Sequence, residues 1–367
     1  MALAIYRKYR PKTFSDLLGQ DHVVEVLKNA ARQDRIAHAY LFYGPRGSGK
    51  TTAARLVAKV ANCQTRAENA KFRATGEPCN RCAPCEEIDA GRALDVNEID
   101  AASNRGIDEI RSLKESVKLS PLSYRYKVFI IDEAHQLTKE AFNALLKTLE
   151  EPPAHALFIL ATTEFEKVPA TISSRAQRFR FRKLSIPEII GKLKMIAKAE
   201  QLHIDADALE LIAQSADGSV RDAESLADQL ASLADRVTVA EVERIIGTVG
   251  FTRTAALAEL MLKSDLAGTL AYIARVGDEG YNVTDLTREL VHHLRRAATL
   301  KFNPSAEPLF AAELTETELA ALKSHSQLIN IRHLSLIRAL IRAYTEMRYA
   351  PFAAIPLEVA IIEQLQK

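Results

Sequence analysis

Short, continuous runs of apolar residues alternate with helical patterns in the first half of the chain. The clearest runs lie at residues 40–43, 128–131 and 157–160, and each is bounded by turn residues or charges. Such runs are too short for a buried helix, and strands that are apolar on both faces are typical of parallel sheets covered by helices. The pattern therefore predicts an α/β domain in which helices flank a parallel sheet.

Apolar residues at helical spacing occur between the apolar runs and throughout the second half of the chain. Between the last two runs, apolar side chains recur at i, i+3, i+4 and i+7 ahead of Pro152, which predicts a helix over residues 142–149. From residue 185 onward no strand-like run of comparable clarity occurs, and glycines at 247 and 250 separate two helical stretches. We therefore expect an α/β domain, a small all-α domain and a larger all-α domain, at residues 1–180, 181–246 and 247–367.

Length and charge narrow the possible functions. The chain has 367 residues, enough for two or three domains, and its 49 basic and 47 acidic residues leave a net charge of +2. This balance excludes a uniformly basic nucleic-acid wrapper and an acidic tail protein, but it allows a local basic track. No uncharged apolar run reaches the roughly 18 residues of a membrane span, so we expect a cytoplasmic protein.

The strongest chemical signal is a phosphate-binding loop. Residues 44–51 match G-x-x-x-x-G-K-[ST] in full, directly after an apolar run and before a helical pattern. In such a loop, backbone N–H groups close around phosphate oxygens at the positive end of a helix dipole. Lys50 is expected to reach the β- and γ-phosphates, and the Thr51 hydroxyl to join the Mg²⁺ shell. The expected nucleotide-binding residues are Gly44, Pro45, Arg46, Gly47, Ser48, Gly49, Lys50, Thr51 and Thr52.

Two carboxylates follow the second apolar run. Asp132 stands where a P-loop protein needs an acid to hold Mg²⁺ together with Thr51, and Glu133 comes next. A glutamate at this point can polarise an attacking water, so the pair indicates hydrolysis rather than nucleotide storage. His135 is an alternative base, although a histidine at the start of a helix more often packs or caps.

All four cysteines of the chain fall between residues 63 and 85. In a reducing compartment such clustering favours a metal site over disulfides. Four thiolates suit tetrahedral Zn²⁺ with no open position, hence a structural site, and an iron–sulfur cluster is the remaining alternative. The predicted zinc ligands are Cys63, Cys79, Cys82 and Cys85.

Together these motifs resemble the gamma/tau family of bacterial DNA polymerase III subunits, which are clamp-loader ATPases. The resemblance rests on the phosphate loop, on the cysteine knuckle inserted shortly after it, and on the segments at 9–14, 98–103, 131–135 and 142–153. It covers residues 1 to about 250 closely and the rest loosely. The spacer between the first two cysteines looks longer than is usual in the family, and the sequence leaves open whether a longer form of the protein exists.

The resemblance implies an AAA+ P-loop domain at 1–180 with a zinc module at 63–85, a helical lid at 181–246 and a helical collar at 247–367. It assigns a nucleotide-sensing role to Thr163, which follows a strand, and a second one to Arg221 in the lid. Arg175 would reach the γ-phosphate bound by a neighbouring subunit, although Ala176 replaces the cysteine of the family's Ser-Arg-Cys motif. The expected catalytic residues are Lys50, Asp132, Glu133, Thr163, Arg175 and Arg221.

The implied function is an ATP-hydrolysing motor subunit that loads a sliding clamp onto primed DNA during replication. Its implied cofactors are ATP, Mg²⁺ and Zn²⁺, and its implied partners are other clamp-loader subunits in a ring, expected as a pentamer, the clamp and primer-template DNA at the nucleoid. A nucleotide-gated scaffold and another AAA+ DNA motor are the alternatives. The presence of Glu133 and Arg175 argues against the first, and the cysteine knuckle argues against the second.

Two segments are candidates for DNA contact. Residues 167–187 contain six basic residues and no acid, although a solvated face or a subunit interface explains this charge equally well. By resemblance, the helix that follows Ser103-Asn104-Arg105 is the better candidate, because its N-terminal amides can bind phosphates. Neither segment has aromatic residues arranged for base stacking, so we expect sequence-independent backbone recognition.

Overall fold

The structure, a computed structural model, describes residues 4–366 apart from 104–105, 247–249, 312–313 and 315. The chain divides into two compact units, at residues 1–237 and 238–367. The three-domain division at 180/181 and 246/247 stays a prediction, and residue 247 lies outside the described residues.

A five-stranded parallel sheet forms the centre of the first unit. Its strands are β1 (Ala39–Tyr43), β2 (Val96–Asp100), β3 (Lys127–Asp132), β4 (Ala156–Thr162) and β5 (Gln177–Arg180). They lie in the order β2-β3-β4-β1-β5. The connection from β1 runs to β2 at one edge, whereas the connection from β4 passes β1 to reach β5 at the other edge. Open α/β sheets bind ligands in the crevice at the carboxyl ends of the strands where the direction reverses in this way.

The three predicted strands are confirmed as β1, β3 and β4. Tyr40 and Phe42 pack into the core on one face of the sheet, while Leu41 packs into the core on the other face. The pattern did not predict β2 and β5, which are the edge strands. Each has exposed polar side chains on part of its length, as in the sequence Gln-Arg-Phe-Arg of β5, so neither forms an apolar run.

Helices connect the strands and continue beyond them. The helices of the first unit are α1 (Ile5–Lys8), α2 (Asp21–Arg32), α3 (Lys50–Asn62), α4 (Gln64–Glu68), α5 (Ala70–Arg73), α6 (Ala83–Asp89), α7 (Ile107–Lys118), α8 (Lys139–Glu150), α9 (Ala170–Ser173), α10 (Ile186–Glu200), α11 (Ala206–Ser215) and α12 (Val220–Ala231). Single 3₁₀ turns lie at Phe14–Asp16, Ala134–Gln136 and Phe165–Lys167. The predicted helix over 142–149 is confirmed as α8. The pattern did not predict a short parallel pair of two-residue strands, β6 (His203–Ile204) and β7 (Arg236–Val237), which lies in the segment between α10 and residue 237.

The second unit is helical throughout its described residues. Its helices are α13 (Val239–Ile246), α14 (Phe251–Leu262), α15 (Leu266–Asp278), α16 (Val283–Phe302), α17 (Glu307–Ala311), α18 (Glu316–Leu328), α19 (Ile331–Met347) and α20 (Ala354–Leu365), with a 3₁₀ turn at Pro304–Ala306. Leu286, Leu290 and Leu294 of α16 are fully buried in its core. Within the described chain no single helix is long and apolar enough to cross a membrane, and only the bent pair α13 and α14 passes that test jointly, by length and composition.

Candidate functional site

The loop at residues 44–49 joins β1 to α3 at the crevice of the sheet. Gly49 precedes α3 with a φ of 99°, and Gly47 has a φ of 69°, both in the region that favours glycine. A Cβ atom on Gly47 would lie 1.9 Å from the Ser219 Oγ, which caps α12. The loop therefore needs glycine both for its own backbone and for its close approach to α12. The first N–H groups of α3 have no partner within the helix, so they can bind an anion here.

Lys50 is the first residue of α3 and is 6% exposed. Its ammonium donates hydrogen bonds to the carbonyl oxygens of Gly44 and Pro45, both at 2.9 Å. Burial lowers the pKa of Lys50, while the nearby Glu133 and Asp132 carboxylates oppose that shift. The ammonium thus lies inside the loop, where it can exchange these carbonyl oxygens for phosphate oxygens.

Thr51 and Asp132 meet at the carboxyl ends of β1 and β3. The Thr51 hydroxyl donates to the Asp132 Oδ2 at 2.6 Å, and the Glu133 backbone N–H donates to the Oδ1 at 2.9 Å. A hydroxyl and a carboxylate at one point are the oxygen donors that Mg²⁺ takes beside nucleotide phosphates. The chemistry of these donors therefore fits the predicted magnesium site.

Glu133 follows β3 in a strained backbone conformation, with φ 48° and ψ 41°. Left-handed backbone at a non-glycine residue costs about 1–3 kcal/mol and is concentrated at functional sites. The Glu133 Oε2 accepts a hydrogen bond from the Thr163 hydroxyl at 3.2 Å and lies 3.4 Å from the His135 Nδ1. The structure thus brings Glu133 and Thr163 together, and it adds His135, whose buried ring lies between Glu133 and Glu164.

Arg221 lies with the phosphate loop in the wall of one cavity. The cavity is lined by residues 46–52, by Asp132 and Glu133, and by Arg221 near the start of α12. The Arg221 guanidinium also lies over the Tyr6 ring, 5.0 Å from its centroid. The cavity therefore brings together four of the six predicted catalytic residues, Lys50, Asp132, Glu133 and Arg221. Thr163 contacts Glu133 and Arg175 lies elsewhere, and Gly44 and Pro45 of the predicted loop do not line the cavity.

Sequence reasoning missed four charged residues of this cavity: Arg10, Asp16, Lys192 and Glu224. Glu224 is 5% exposed, and burial raises its pKa to about 7, while Lys192 and Arg10 oppose that rise. Burial also lowers the pKa of Arg10. Arg10 lies in the segment 9–14 that the family resemblance uses, but the resemblance gives it no role. Asp16, Lys192 and Glu224 lie outside the quoted motifs. Only the fold brings them together.

Arg175 lies outside that cavity, between α9 and β5. Its guanidinium donates to the Glu150 carboxylate, to the Thr171 carbonyl oxygen at 2.6 Å and to the Ser174 hydroxyl at 3.3 Å. The side chain is 32% exposed. Arg175 therefore does not reach the phosphate loop of its own chain, and its accessible guanidinium is available to another molecule.

The four cysteines meet in one cluster. Their sulfur atoms all lie within 4.8 Å of one another, and Cys63 and Cys82 are 4.0 Å apart, as are Cys79 and Cys85. Tetrahedral ligands at the Zn–S distance of about 2.3 Å are separated by about 3.8 Å, so the cluster fits a zinc ion with little movement. A hydrogen bond with Cys85 lowers the pKa of Cys63 to about 4.

The two candidate DNA segments differ in what can be described. Asn104 and Arg105 lie outside the described residues, and the helix that follows them is α7. In the segment 167–187, Arg182 pairs with Glu188 and Lys183 pairs with Asp217, both at 2.6 Å. Arg178 and Arg180 are exposed on the edge strand β5. Part of the local positive charge is therefore neutralised by acids from outside the segment.

Three family profiles match successive parts of the chain between residues 19 and 366. The family profile described as "DNA polymerase III, delta subunit" matches residues 19–185. The profiles described as "DNA polymerase III clamp loader subunit, ATPase lid domain" and "DNA polymerase III subunits gamma and tau domain III" match residues 188–235 and 237–366. The first unit therefore has the expected AAA+ P-loop fold with a helical lid, and the second corresponds to the third domain of gamma and tau.

Individual relatives agree with these profiles. The chain is 40% identical over 365 residues to the DNA polymerase III subunit tau of Bacillus subtilis, covering 99% of this chain and 63% of that protein. Among solved structures, the RuvB Holliday junction branch migration motor of Thermotoga maritima aligns at a TM-score of 0.48 and 19% identity, over 75% of this chain and 86% of that one. The chain is also 35% identical over 357 residues to the DNA polymerase III subunit gamma of Buchnera aphidicola, covering 97% of this chain and 96% of that protein. The chain therefore belongs to the family of DNA polymerase III subunits gamma and tau.

Proposed function

We propose that the chain is the ATP-hydrolysing motor subunit of a clamp loader, which places a sliding clamp on primed DNA. The observation that carries this proposal is the cavity in which the phosphate loop, the Asp132–Glu133 pair and Arg221 meet. A scaffold without hydrolysis would not need Glu133 in a strained conformation beside a hydroxyl partner. Family membership supports the same conclusion, because the profile matched by the lid is that of a clamp-loader subunit.

In this proposal the loop binds the phosphates of ATP. Lys50 leaves the carbonyl oxygens of Gly44 and Pro45 and binds the β- and γ-phosphates, while the N-terminal amides of α3 contribute further N–H donors. Thr51 and Asp132 would hold Mg²⁺, which neutralises phosphate charge when bound. The role of this chain's residues is to position the γ-phosphate for attack in a site that the lid covers.

Glu133 acts on the attacking water. Its carboxylate orients the water and takes up its proton, while Thr163 holds the other side of that carboxylate through its hydroxyl. Arg221 reports the γ-phosphate to the lid, because it stands next to Ser219, which touches the phosphate loop. His135 fixes the position of Glu133 through its ring nitrogen.

Arg175 serves the neighbouring subunit in a ring. Its distance from its own cavity and its accessible guanidinium fit a residue that completes the next subunit's site, where an arginine stabilises the charge of the transition state. In the isolated chain Glu150 holds the guanidinium, so ring assembly would exchange this partner for a phosphate. The partners proposed here are other clamp-loader subunits in a pentameric ring, the clamp and primer-template DNA at the nucleoid.

DNA contact is proposed for the inner surface of the ring, at α7 and the residues before it, through phosphates only.

The cysteine cluster is proposed to hold structural Zn²⁺ with all four thiolates. A metal analysis of the native protein tests this zinc site, and about one equivalent of zinc per chain is expected.

The proposed activity is tested with two variants in one assay. Lys50→Ala should lose nucleotide binding by about a hundredfold or more, because the phosphates lose their buried cation. Glu133→Gln should keep binding and lose turnover by about 10²–10⁴, because the water loses its base. Nucleotide binding is measured by fluorescence titration of the chain. Turnover is measured by phosphate release from the assembled ring, because the proposed site needs Arg175 of a neighbouring subunit, and Lys263→Ala in the second unit is the control. Equal turnover in Glu133→Gln and the unmodified chain would refute the assigned base.

A further inference from the structure

One helix connects the nucleotide site with the cysteine cluster. α3 begins at Lys50 in the phosphate loop and ends at Asn62, and Cys63 follows directly. At about 1.5 Å per residue the helix spans about 20 Å. Its side chains from residue 56 to 62 are all buried, so the helix is packed on every side over its last two turns. A displacement at one end of such a helix is transmitted to the other end.

An ion pair connects the last turns of α3 to the cysteine module, which comprises the four cysteines and the chain between Cys63 and the end of α6. Lys59 has no exposed surface, and its ammonium donates to both carboxylate oxygens of Asp89 at 2.8 Å. Asp89 is the last residue of α6, the helix that follows Cys82 and contains Cys85. Because a buried lysine is costly without its partner, this pair holds α6 in one position against α3.

Two further contacts fix the same end of α3. The Asn62 side-chain amide donates to the Tyr126 carbonyl oxygen at 3.1 Å and accepts from the Tyr126 N–H at 2.8 Å. Tyr126 directly precedes β3, the strand that ends at Asp132. The buried Arg66 guanidinium donates to the carbonyl oxygens of Val60 and Ala31, at the ends of α3 and α2. The cysteine module and both parts of the proposed magnesium site thus share one rigid support.

We propose that the metal-loaded cysteine cluster is thermodynamically coupled to the nucleotide site through α3, with Lys59 and Asp89 as the positioning residues. This inference rests on the proposed nucleotide binding. Nucleotide binds at the first turn of α3 and metal at the residue that follows its last turn, so each ligand restricts motion of the same helix and lowers the ordering cost of binding the other. By thermodynamic linkage the factor is the same in both directions.

The coupling is tested on the full chain loaded with one equivalent of zinc. Zinc release to a chromogenic chelator is followed with and without a saturating, non-hydrolysable ATP analogue and Mg²⁺. We expect the nucleotide to slow release by about fivefold or more in the unmodified chain. In Lys59→Met, which replaces the buried charge by an apolar side chain of similar length, the ratio should fall towards one. Arg236→Met is the control, because it breaks the exposed ion pair with Asp205, which lies outside both α3 and the cysteine module, and should keep the full ratio.

The outcomes separate this inference from the proposed function. A release rate that nucleotide does not change in the unmodified chain, or an unchanged ratio in Lys59→Met, overturns the coupling. Failure of the chain to bind zinc overturns it too. Failure to bind the ATP analogue, measured by fluorescence titration of the same samples, contradicts the proposed nucleotide site instead. If Lys59→Met does not fold, Asp89→Asn replaces it with the same expectation, since the Asp89 side chain is 37% exposed.

Discussion

At the residue scale, Glu224 shows how the fold changes an ordinary side chain. Burial in the cavity wall raises its pKa from 4.5 to about 7, although Lys192 and Arg10 oppose the rise. Between these two values the folded chain holds a proton that the unfolded chain has lost. The stability that Glu224 contributes is therefore complete below about pH 4.5 and is lost as the pH rises through about 7.

Glu224→Gln should remove this pH dependence while keeping the shape of the side chain. The variant is expected to be more stable than the unmodified chain at pH 8, by up to about 3 kcal/mol, and to lose that advantage near pH 4.5. Urea unfolding of the first unit at both pH values measures the difference. Glu210→Gln, at an exposed position of α11, is the control and should change neither value. If the free energy of unfolding depends on pH in the same way in Glu224→Gln and in the unmodified chain, the raised pKa of Glu224 is contradicted.

Sequence reasoning found the site residues that stand in contiguous motifs. Lys50 and Thr51 are specified by the loop pattern, and Asp132 by the strand before it, because local chemistry alone places them. It missed Lys192 and Glu224, since they enter the cavity from α10 and α12 and depend on how the helices pack against the phosphate loop.

At the element scale, burial decides which strands could be predicted. β3 and β4 are central and covered on both faces, so their sequences are continuously apolar. β2 and β5 each have one neighbouring strand and keep polar side chains. The sequence of β5 therefore has the pattern of a basic segment rather than of a strand. Arg175 stands just before this edge strand and its side chain is partly exposed, as the proposed in-trans role requires.

Arg175→Ala should separate nucleotide binding from turnover. The nucleotide affinity of the isolated chain is expected to stay unchanged, because Arg175 does not line its cavity. In the assembled ring, turnover stimulated by clamp and DNA should fall by about 10³–10⁵, as in other phosphoryl transfers that lose such an arginine. Phosphate release by the reconstituted ring measures this. The in-trans role would be refuted by rates equal to those of the unmodified ring, and Arg236→Ala, at an exposed position outside the candidate DNA segments, is the control.

The second unit contains a buried histidine pair that makes its stability depend on pH. The His293 Nε2 lies 2.7 Å from the His325 Nδ1, and burial lowers the pKa of His293 to about 4, with His325 and Arg296 adding to the shift. Stability from a depressed histidine pKa is complete above about 6.5 and is lost as the pH falls through 4.

Acidification from pH 7 to pH 5 should therefore weaken the second unit by about 2 kcal/mol. Hydrogen exchange of α16 in the whole chain is expected to accelerate accordingly. His293→Gln should reduce the pH effect, with the part from His325 and His333 remaining because burial lowers their pKa values too. His292→Gln, at the exposed neighbouring position, should leave the pH effect intact. If the exchange rates of α16 in the unmodified chain, after correction for the pH dependence of intrinsic exchange, are the same at pH 7 and pH 5, this expectation is contradicted.

At the scale of the whole molecule, charge and organisation agree with a subunit of a larger assembly. A net charge of +2 on 367 residues argues against a protein that coats nucleic acid over its whole surface, so the proposed DNA contact is confined to one surface. The chain spans 63% of the length of the Bacillus subtilis relative, so contacts made by other parts of such proteins lie outside this chain. The two units each have their own core.

The central claim, ATP-driven clamp loading, is tested most directly by counting clamps on DNA. The chain is assembled with the other clamp-loader subunits and mixed with labelled clamp and primed circular DNA, and DNA-bound clamp is separated by gel filtration. We predict loading that requires ATP with the unmodified chain and falls to background with Lys50→Ala. Equal loading by Lys50→Ala and the unmodified chain, or equal loading with and without ATP, would contradict the account.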